Sequence, residues 1–86
     1  MGKNRSRTDI FASLLDTASK ENGLGITKLM YTSFLSYRQM VSYMKILMKG
    51  GLLEFGKLDR LYKITPKGRQ FLGVFNEMNE MLNPIS

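Results

Sequence analysis

The stretch Leu35-Ser-Tyr-Arg-Gln-Met-Val-Ser-Tyr-Met-Lys-Ile-Leu47, followed by Gly50-Gly51, decides how this chain folds. Ser36 and Gln39 form the S-x-x-Q pattern of a capping box, in which each side chain bonds the backbone amide of the other residue. The glycine pair predicts the end of the helix, since glycine accepts the left-handed conformation found there. Between these limits, apolar residues repeat at +4 and +3 and predict one buried stripe, formed by Met40, Met44 and Leu47.

Two further helices are predicted before this one. Residues 7–20 carry apolar side chains at the spacing of a single helical face. Ser6 suits the cap of this helix, with Asp9 three residues further on. Residues 21–25 contain the Asn and Gly residues that end a helix, and a short second helix fits residues 27–32.

A β-hairpin and a last helix follow the third helix. Residues 52–55 and 61–64 are short and apolar, and the polar, glycine-containing loop between them indicates two strands of a hairpin. Thr65-Pro66 then predicts a helix start, and the helix is expected to end at about Asn83. The order of helix, helix, helix, hairpin and helix predicts a mainly α, winged helix-turn-helix fold, in which the third helix enters a DNA groove. We expect one domain over residues 1–86, with the helix-turn-helix and wing in 7–64 and the C-terminal helix in 65–83.

The composition argues against an enzyme. The 86 residues contain no histidine and no cysteine, which removes the commonest general base, the commonest metal ligand and any thiolate site. The seven acidic residues are scattered along the chain. We therefore expect no catalytic site, metal, cofactor or small-molecule ligand. No apolar run approaches the roughly 18 to 20 residues of a membrane span, so a cytoplasmic protein is expected, and the DNA-binding fold adds the expectation that it is nucleoid-associated.

Positive charge is concentrated in residues 1–69. This part holds all thirteen Lys and Arg residues against five acidic ones, a balance of +8 within a total of +6. Residues 70–86 hold two charged residues, Glu77 and Glu80. A basic body is typical of a protein that binds a polyanion, whereas the slightly acidic tail indicates a separate task.

Two segments carry a resemblance to a known family. Leu35-Ser-Tyr-Arg-Gln39 enters the third helix, and Tyr62-Lys-Ile-Thr-Pro-Lys-Gly68 follows the loop of the hairpin. Over about residues 7–75 the chain resembles archaeal winged-helix DNA-binding proteins, in particular the small chromatin-associated family that dimerises through a C-terminal antiparallel coiled coil. This resemblance implies double-stranded DNA as the partner and a homodimer. The last helix departs from the pattern. At 1.5 Å per residue its predicted length is about 27 Å, which is shorter than expected for the coiled-coil members.

The third helix carries the first candidates for DNA contact. Arg38 and Gln39 lie in its first turn, the part of a recognition helix that reaches base edges, where Arg can pair with guanine and Gln with adenine. Ser42 and Lys45 also lie away from the buried stripe. Two interpretations stay open for Gln39, a base contact or a capping role alone. Tyr37 either contacts a sugar or phosphate or is simply exposed.

Further candidates lie in the wing and near the first two helices. Lys57 and Arg60 suit phosphate or a minor groove, whose negative potential favours arginine, although an ordinary charged loop is the other interpretation. The N-terminus of a helix favours the binding of phosphate. A basic N-terminal arm suits the DNA backbone, although a solvated chain terminus without a binding role is the other interpretation. These last candidates are Thr27 and Lys28 at the second helix, and Arg5 and Arg7 in the arm.

The last helix predicts a dimer interface. Four of its apolar residues repeat at +4, +3 and +4, the spacing of a seam between helices. One apolar stripe can pack on its own domain, but a second stripe would remain exposed on a monomer. We therefore expect a homodimer rather than a monomer. The seam comprises Phe71, Phe75, Met78 and Leu82, and further apolar surface comes from Leu72, Val74 and Met81.

Two functions of different classes are compatible with these features. The first is a dimeric double-stranded DNA-binding protein, either a transcriptional regulator or an architectural chromatin protein, with the third helix in the major groove and the wing on the backbone or minor groove. The alternative is a winged-helix protein–protein interaction module that does not bind DNA and docks through its tail. The basic body argues against the alternative, which gives no reason for the charge.

Overall fold

A computed structural model describes residues 6–82 of the chain. This part contains four helices and one two-stranded antiparallel sheet, which confirms the predicted winged helix-turn-helix order. No helix within it combines the length and the apolar character needed to span a membrane. The elements are, in chain order, α1 (Arg7–Ser19), α2 (Ile26–Ser33), α3 (Tyr37–Lys49), β1 (Leu53–Phe55), β2 (Tyr62–Ile64) and α4 (Pro66–Leu82).

Side-chain caps determine where three of the helices begin. The two predicted capping boxes are both present, with Ser6 before α1 and Ser36 before α3. Thr65 caps α4, because its Oγ1 accepts the backbone N–H of Gly68 at 3.0 Å. The same hydroxyl donates to the carbonyl of Gly51 at 2.6 Å. Thr65 therefore ties the end of α3 to the start of α4.

The boundaries of four elements differ from the sequence prediction by one residue, and the first of them, α1, ends at Ser19 rather than at residue 20. Helix α2 is one residue longer at each end than the predicted 27–32. Both strands start one residue later than predicted. Leu52 is excluded from β1 because its N–H bonds the carbonyl of Leu47 at the end of α3, at 2.9 Å. Leu61 is excluded from β2 because its N–H donates to Oδ1 of Asp59, at 3.1 Å, instead of to the facing strand. The predicted end of α4 at Asn83 lies outside the described residues.

The core lies between α1, α2, α3 and the hairpin. The predicted buried stripe of α3 is confirmed, since Met40, Met44 and Leu47 are all buried. No large apolar side chain of α4 is fully buried within the described residues, although Phe71 and Leu72 pack against the core from its edge. The core cluster consists of Leu14, Leu15, Ala18, Leu24, Leu29, Met40, Met44, Leu47 and Leu53.

The connection between α1 and α2 pairs with the hairpin, which the sequence did not predict. The N–H of Leu24 donates to the carbonyl of Tyr62 at 3.0 Å, and the N–H of Tyr62 donates to the carbonyl of Leu24 at 2.8 Å. Leu24 is itself part of the core cluster. This isolated bridge holds the free edge of β2 against the helical part of the domain and so fixes the position of the hairpin.

Two glycines of α4 give a matched test of how that helix packs. A Cβ atom on the buried Gly68 would clash with the carbonyl oxygen of Leu52 and lie 2.7 Å from Cγ1 of Ile64. We expect Gly68→Ala to lower the free energy of unfolding by roughly 1–3 kcal/mol, because α4 must move off the hairpin. A Cβ atom on Gly73 meets nothing within 4 Å.

Gly73→Ala is the control for this prediction. It is expected to raise the free energy of unfolding by roughly 0.5–1 kcal/mol, since alanine is the better helix former at an open position. Urea unfolding at matched protein concentrations measures both variants. If Gly68→Ala is as stable as the original chain, the close approach of α4 to the hairpin is wrong.

Candidate nucleic-acid interface

The side of α3 that faces away from the core is polar and basic. We call Arg38, Ser42, Lys45 and Lys49 the outer face of α3, and all four are exposed. The first three each precede a residue of the buried stripe by two positions, which places them about 200° around the helix from it. Helix α3 contains no acidic residue. Burial of the stripe therefore turns an uncompensated positive face toward the solvent.

The capping box restricts what Gln39 is able to contact. Its Oε1 accepts the N–H of Ser36 at 3.1 Å, and its own N–H donates to Oγ of Ser36 at 3.2 Å. Bidentate recognition of adenine uses both the oxygen and the nitrogen of a glutamine amide. Because the cap directs the oxygen toward the Ser36 amide, it fixes the orientation of the Gln39 side chain and leaves its amide nitrogen to donate to DNA.

The two tyrosines of α3 have different surroundings. Tyr37, at the first position of the helix, is exposed. Tyr43 is partly buried and its ring meets that of Phe11 edge to face, with centroids 5.5 Å apart. Tyr43 thus belongs to the packed side of the helix, beside the buried stripe. Tyr37 is the tyrosine that remains a candidate for DNA contact.

The loop of the hairpin, residues Gly56–Arg60, is held by several hydrogen bonds; we call it the wing loop. The N–H of Gly56 donates to the carbonyl of Leu61 at 2.9 Å, and the N–H of Arg60 donates to the carbonyl of Gly56 at 2.8 Å. Oδ1 of Asp59 accepts the N–H of Leu61 at 3.1 Å, which is the pattern of an Asx turn. Arg60 has a φ of 58°, so this turn supports a conformation that is uncommon outside glycine.

The ion pairs of the described residues involve one of the predicted DNA-binding cations, Lys28, and leave the others among these residues unpaired. Within residues 6–82 no ion pair involves Arg38, Lys45, Lys57 or Arg60. Asp59, the acidic residue of the wing loop, pairs with Lys63 at 2.9 Å instead. The ion pairs that do form are Lys20 with Asp16, Lys28 with Glu21, and Lys63 with Asp59.

The candidate DNA-contact residues near the first two helices differ in their surroundings. Helix α2 has Gly25 as its N-cap and no side-chain cap, so the exposed Thr27 and Lys28 lie beside uncapped backbone amides. The charge of Lys28 is balanced in part by Glu21, whose Oε2 lies 3.0 Å from Nζ of the lysine. Arg7 begins α1 and is exposed. Arg5 lies outside the described residues.

Sequence reasoning missed three large exposed side chains. Tyr31 and Phe34 are exposed at the end of α2, and Leu58 is fully exposed in the wing loop. The eight residues of α2 are too few for periodicity to separate an inner from an outer face. A signal for Leu58 was present, because it is the one apolar side chain within the polar stretch of residues 56–60.

The predicted interface residues of α4 fall into two groups. Phe71 and Leu72 pack partly buried against the core of their own domain, and the ring of Phe71 stacks on that of Phe75 with centroids 6.3 Å apart. The remaining apolar side chains form what we call the exposed face of α4, which consists of Val74, Met78, Met81 and Leu82.

An open groove of about 290 Å³ lies where α4 passes the start of α1. The groove has an apolar floor and a polar side, formed by Phe71, Val74, Phe75 and Met78 and by Ser6, Thr8 and Asp9, respectively. Within the described residues no group of three or more acidic, cysteine or histidine side chains is placed to hold a metal ion. The described surface thus offers a basic face on α3, a basic wing loop and an apolar face on α4.

Comparison with known proteins defines the class of this one. A family model described as winged helix-turn-helix matches residues 4–83, and the chain belongs to that family. Among solved structures it is similar to Sso10a-2, a DNA-binding protein from Sulfolobus solfataricus, at 26% identity and a TM-score of 0.75. The match covers 94% of this chain and 85% of that chain, and it confirms the predicted resemblance to archaeal winged-helix DNA-binding proteins. No curated protein sequence matches the chain.

The wing loop is expected to depend on pH through Asp59. The hydrogen bond from the Lys63 side chain, and then that from the Leu61 amide, lower the pKa of Asp59 below its ordinary value of 3.8. A carboxyl group whose pKa is lower in the folded state stabilises that state above the ordinary pKa, and the effect is lost as the pH falls through the lowered value. We expect the backbone amide shift of Leu61 to follow this titration, with a midpoint below 3.8.

Nitrogen–proton correlation spectra recorded between neutral and strongly acidic pH measure this midpoint. Asp59→Asn keeps an oxygen for the Leu61 amide but cannot titrate, so it is expected to remove the acid transition at Leu61. A midpoint at or above the ordinary value of the group in the original chain would contradict the hydrogen bonds assigned to the loop.

Proposed function

We propose that this protein binds double-stranded DNA, with α3 in the major groove and the wing loop on the adjacent backbone or minor groove. The observation that carries the proposal is the outer face of α3, which is basic, exposed and opposite the buried stripe. A helix presented in this way suits the major groove, which is wide enough to admit it. The description of the similar Sso10a-2 as a DNA-binding protein supports the same function.

The residues of α3 suit two kinds of contact. Arg38 lies in the first turn, where recognition helices reach base edges, and its guanidinium has the geometry for bidentate pairing with guanine. Ser42 follows one turn later on the same face and suits a base or a phosphate. Lys45 and Lys49, further from the N-terminus, suit phosphate oxygens. Gln39 donates from its amide nitrogen and Tyr37 from its hydroxyl to the backbone beside this face.

The wing loop and two helix starts supply further contacts to phosphate. Lys57 and Arg60 project from a loop that its own hydrogen bonds hold in place, and neither pairs with an acidic residue of the described part. Thr27 and Lys28 offer the uncapped amides of α2, and Arg7 lies at the start of α1. Such contacts position the domain on the duplex and make the affinity depend strongly on salt.

Two roles are compatible with this binding mode, transcriptional regulation and architectural organisation of chromatin. Base contacts from Arg38 and Ser42 would favour a regulator, whereas binding through phosphate and DNA shape would favour an architectural protein. Selection of bound sequences from a random duplex pool separates the two roles. Enrichment of one motif supports a regulator, and recovery of an unchanged pool supports an architectural protein.

Binding to two half-sites would require a second copy of the chain, and α4 is suited to hold the two copies together. We propose a homodimer in which the exposed face of α4 packs on the same face of a second copy, with Phe75 at its edge. A two-fold axis pairs identical patches, so an apolar face is complementary to itself. Phe71 and Leu72 then support this interface from the side of the core. The groove beside Val74 and Met78 gives a partner side chain a place to insert.

Arg38→Ala tests the DNA-binding mode. If Arg38 pairs with a base, its loss is expected to weaken binding to a selected site by about 1–3 kcal/mol and to affect random duplex less. If it contacts only phosphate, both duplexes lose affinity equally and the salt slope falls by about one. Fluorescence anisotropy with labelled duplexes at several salt concentrations measures both quantities.

Lys20→Ala is the matched control, since Lys20 is an exposed cation at the C-cap of α1 that pairs with Asp16 and lies outside the proposed interface. It is expected to bind like the original chain. An equal loss in Lys20→Ala and Arg38→Ala would show that charge alone matters. No binding of any duplex at low salt would contradict the proposal and favour a protein-interaction module.

Met81→Glu tests the dimer. A charge on the exposed face of α4 lies opposite its own copy in a symmetric dimer, so we expect the dissociation constant of the dimer to rise at least about tenfold, or 1.4 kcal/mol. Tyr31→Glu is the control, because Tyr31 is 79% exposed on α2 and Met81 is 81% exposed on α4. Sedimentation equilibrium measures the association of both. A chain that is monomeric before mutation, or a variant that dimerises unchanged, contradicts this interface.

A further inference from the structure

The apex of the wing loop carries an apolar side chain with no packing partner. Leu58 has a relative exposure of 101%, the highest among the large apolar residues of the described part. A leucine in that position contributes nothing to the core, which lies on the opposite side of the hairpin around Leu53. A polar residue would serve equally well at the tip of an ordinary solvated loop. Single exposed apolar side chains are common on protein surfaces, so the surroundings of Leu58 decide what it is suited to contact.

Hydrogen bonds within the wing loop fix the backbone that carries Leu58. Gly56 and Arg60 are joined by a hydrogen bond of 2.8 Å, which encloses the apex residues in a single turn. Asp59 accepts the N–H of Leu61 and pairs with Lys63, so its carboxylate is bound on both oxygens. Beyond the loop, the bridge between Leu24 and β2 fixes the hairpin on the helices. An apolar group mounted in this way keeps its direction when it meets a partner.

Cations flank the apolar apex. Lys57 precedes Leu58 directly and Arg60 follows two residues later, and both are exposed and without an ion pair in the described part. An apolar tip between two free cations is poorly suited to an apolar protein groove, because the cations would lose their hydration without gaining a partner. It suits a DNA groove, in which phosphates receive the cations and the stacked bases receive the leucine.

We propose that Leu58 enters the minor groove and inserts partly between two neighbouring base pairs, so that the protein bends the DNA it binds. Leucine is among the residues that act as wedges of this kind, and the resulting kinks range from about 20° to 90°. The insertion favours pyrimidine–purine steps, which unstack most easily. This inference rests on the proposed DNA binding and adds a deformation of the duplex to it.

Leu58→Ala tests the wedge without a change of charge and without a loss of core packing. The probe is a short duplex that contains a TA step and carries a fluorescent donor and acceptor at its two ends. The full chain is expected to raise energy transfer on binding, because the bent duplex brings its ends closer. Leu58→Ala is expected to bind the duplex but to lose most of this rise, whereas Leu58→Met, which keeps a wedge side chain, retains it.

Phe34→Ala is the matched control, because Phe34 is 90% exposed but lies in the turn before α3 rather than in the wing loop. It is expected to bend the duplex like the original chain. Binding without bending by the original chain, or equal bending by Leu58→Ala, overturns the wedge and leaves the proposed DNA binding in place. Failure of the original chain to bind the duplex at all, measured by anisotropy in the same samples, overturns both.

Discussion

Burial of Met40, Met44 and Leu47 is the constraint on which the rest of the structure depends. These three side chains lock α3 at one rotation about its axis, because any turn of the helix would expose part of the stripe to water. The opposite face is then fixed as well, and it carries Arg38, Lys45 and no acidic residue. Packing inside the domain thus decides which charges α3 presents to the solvent.

The wing takes its position from the same core. Leu53 anchors β1 in the core cluster, and the pairing of Leu24 with Tyr62 holds β2 from its other edge. Thr65 joins the end of α3 to the start of α4 through two hydrogen bonds. The basic wing loop is therefore attached to α3 by short connections, and the two surfaces keep a fixed position relative to each other. Helix α4 takes little part in this core and leaves its far end exposed.

Local signals in the sequence predicted most of the fold. The capping boxes at Ser6 and Ser36 and the stripe of α3 depend on residues a few positions apart, and all are present as predicted. The bridge from Leu24 to the hairpin was not predictable in this way, because it joins segments far apart in the chain. The sequence predicted which residue types form the candidate site, but not which of these side chains are paired or exposed. The pairing of Lys28 with Glu21 follows from tertiary structure alone, whereas the exposure of Leu58 was indicated only by its place in the polar stretch of residues 56–60.

The central claim is that the outer face of α3 and the wing loop bind one duplex together. Titration of the isotopically labelled chain with a short duplex, followed by nitrogen–proton correlation spectra, tests it most directly. We predict that amide shifts change over residues 37–45 and 57–61 in the same titration, and that added salt reverses both sets of changes. Shift changes confined to residues 74–82, or to only one of the two predicted segments, would contradict the claim.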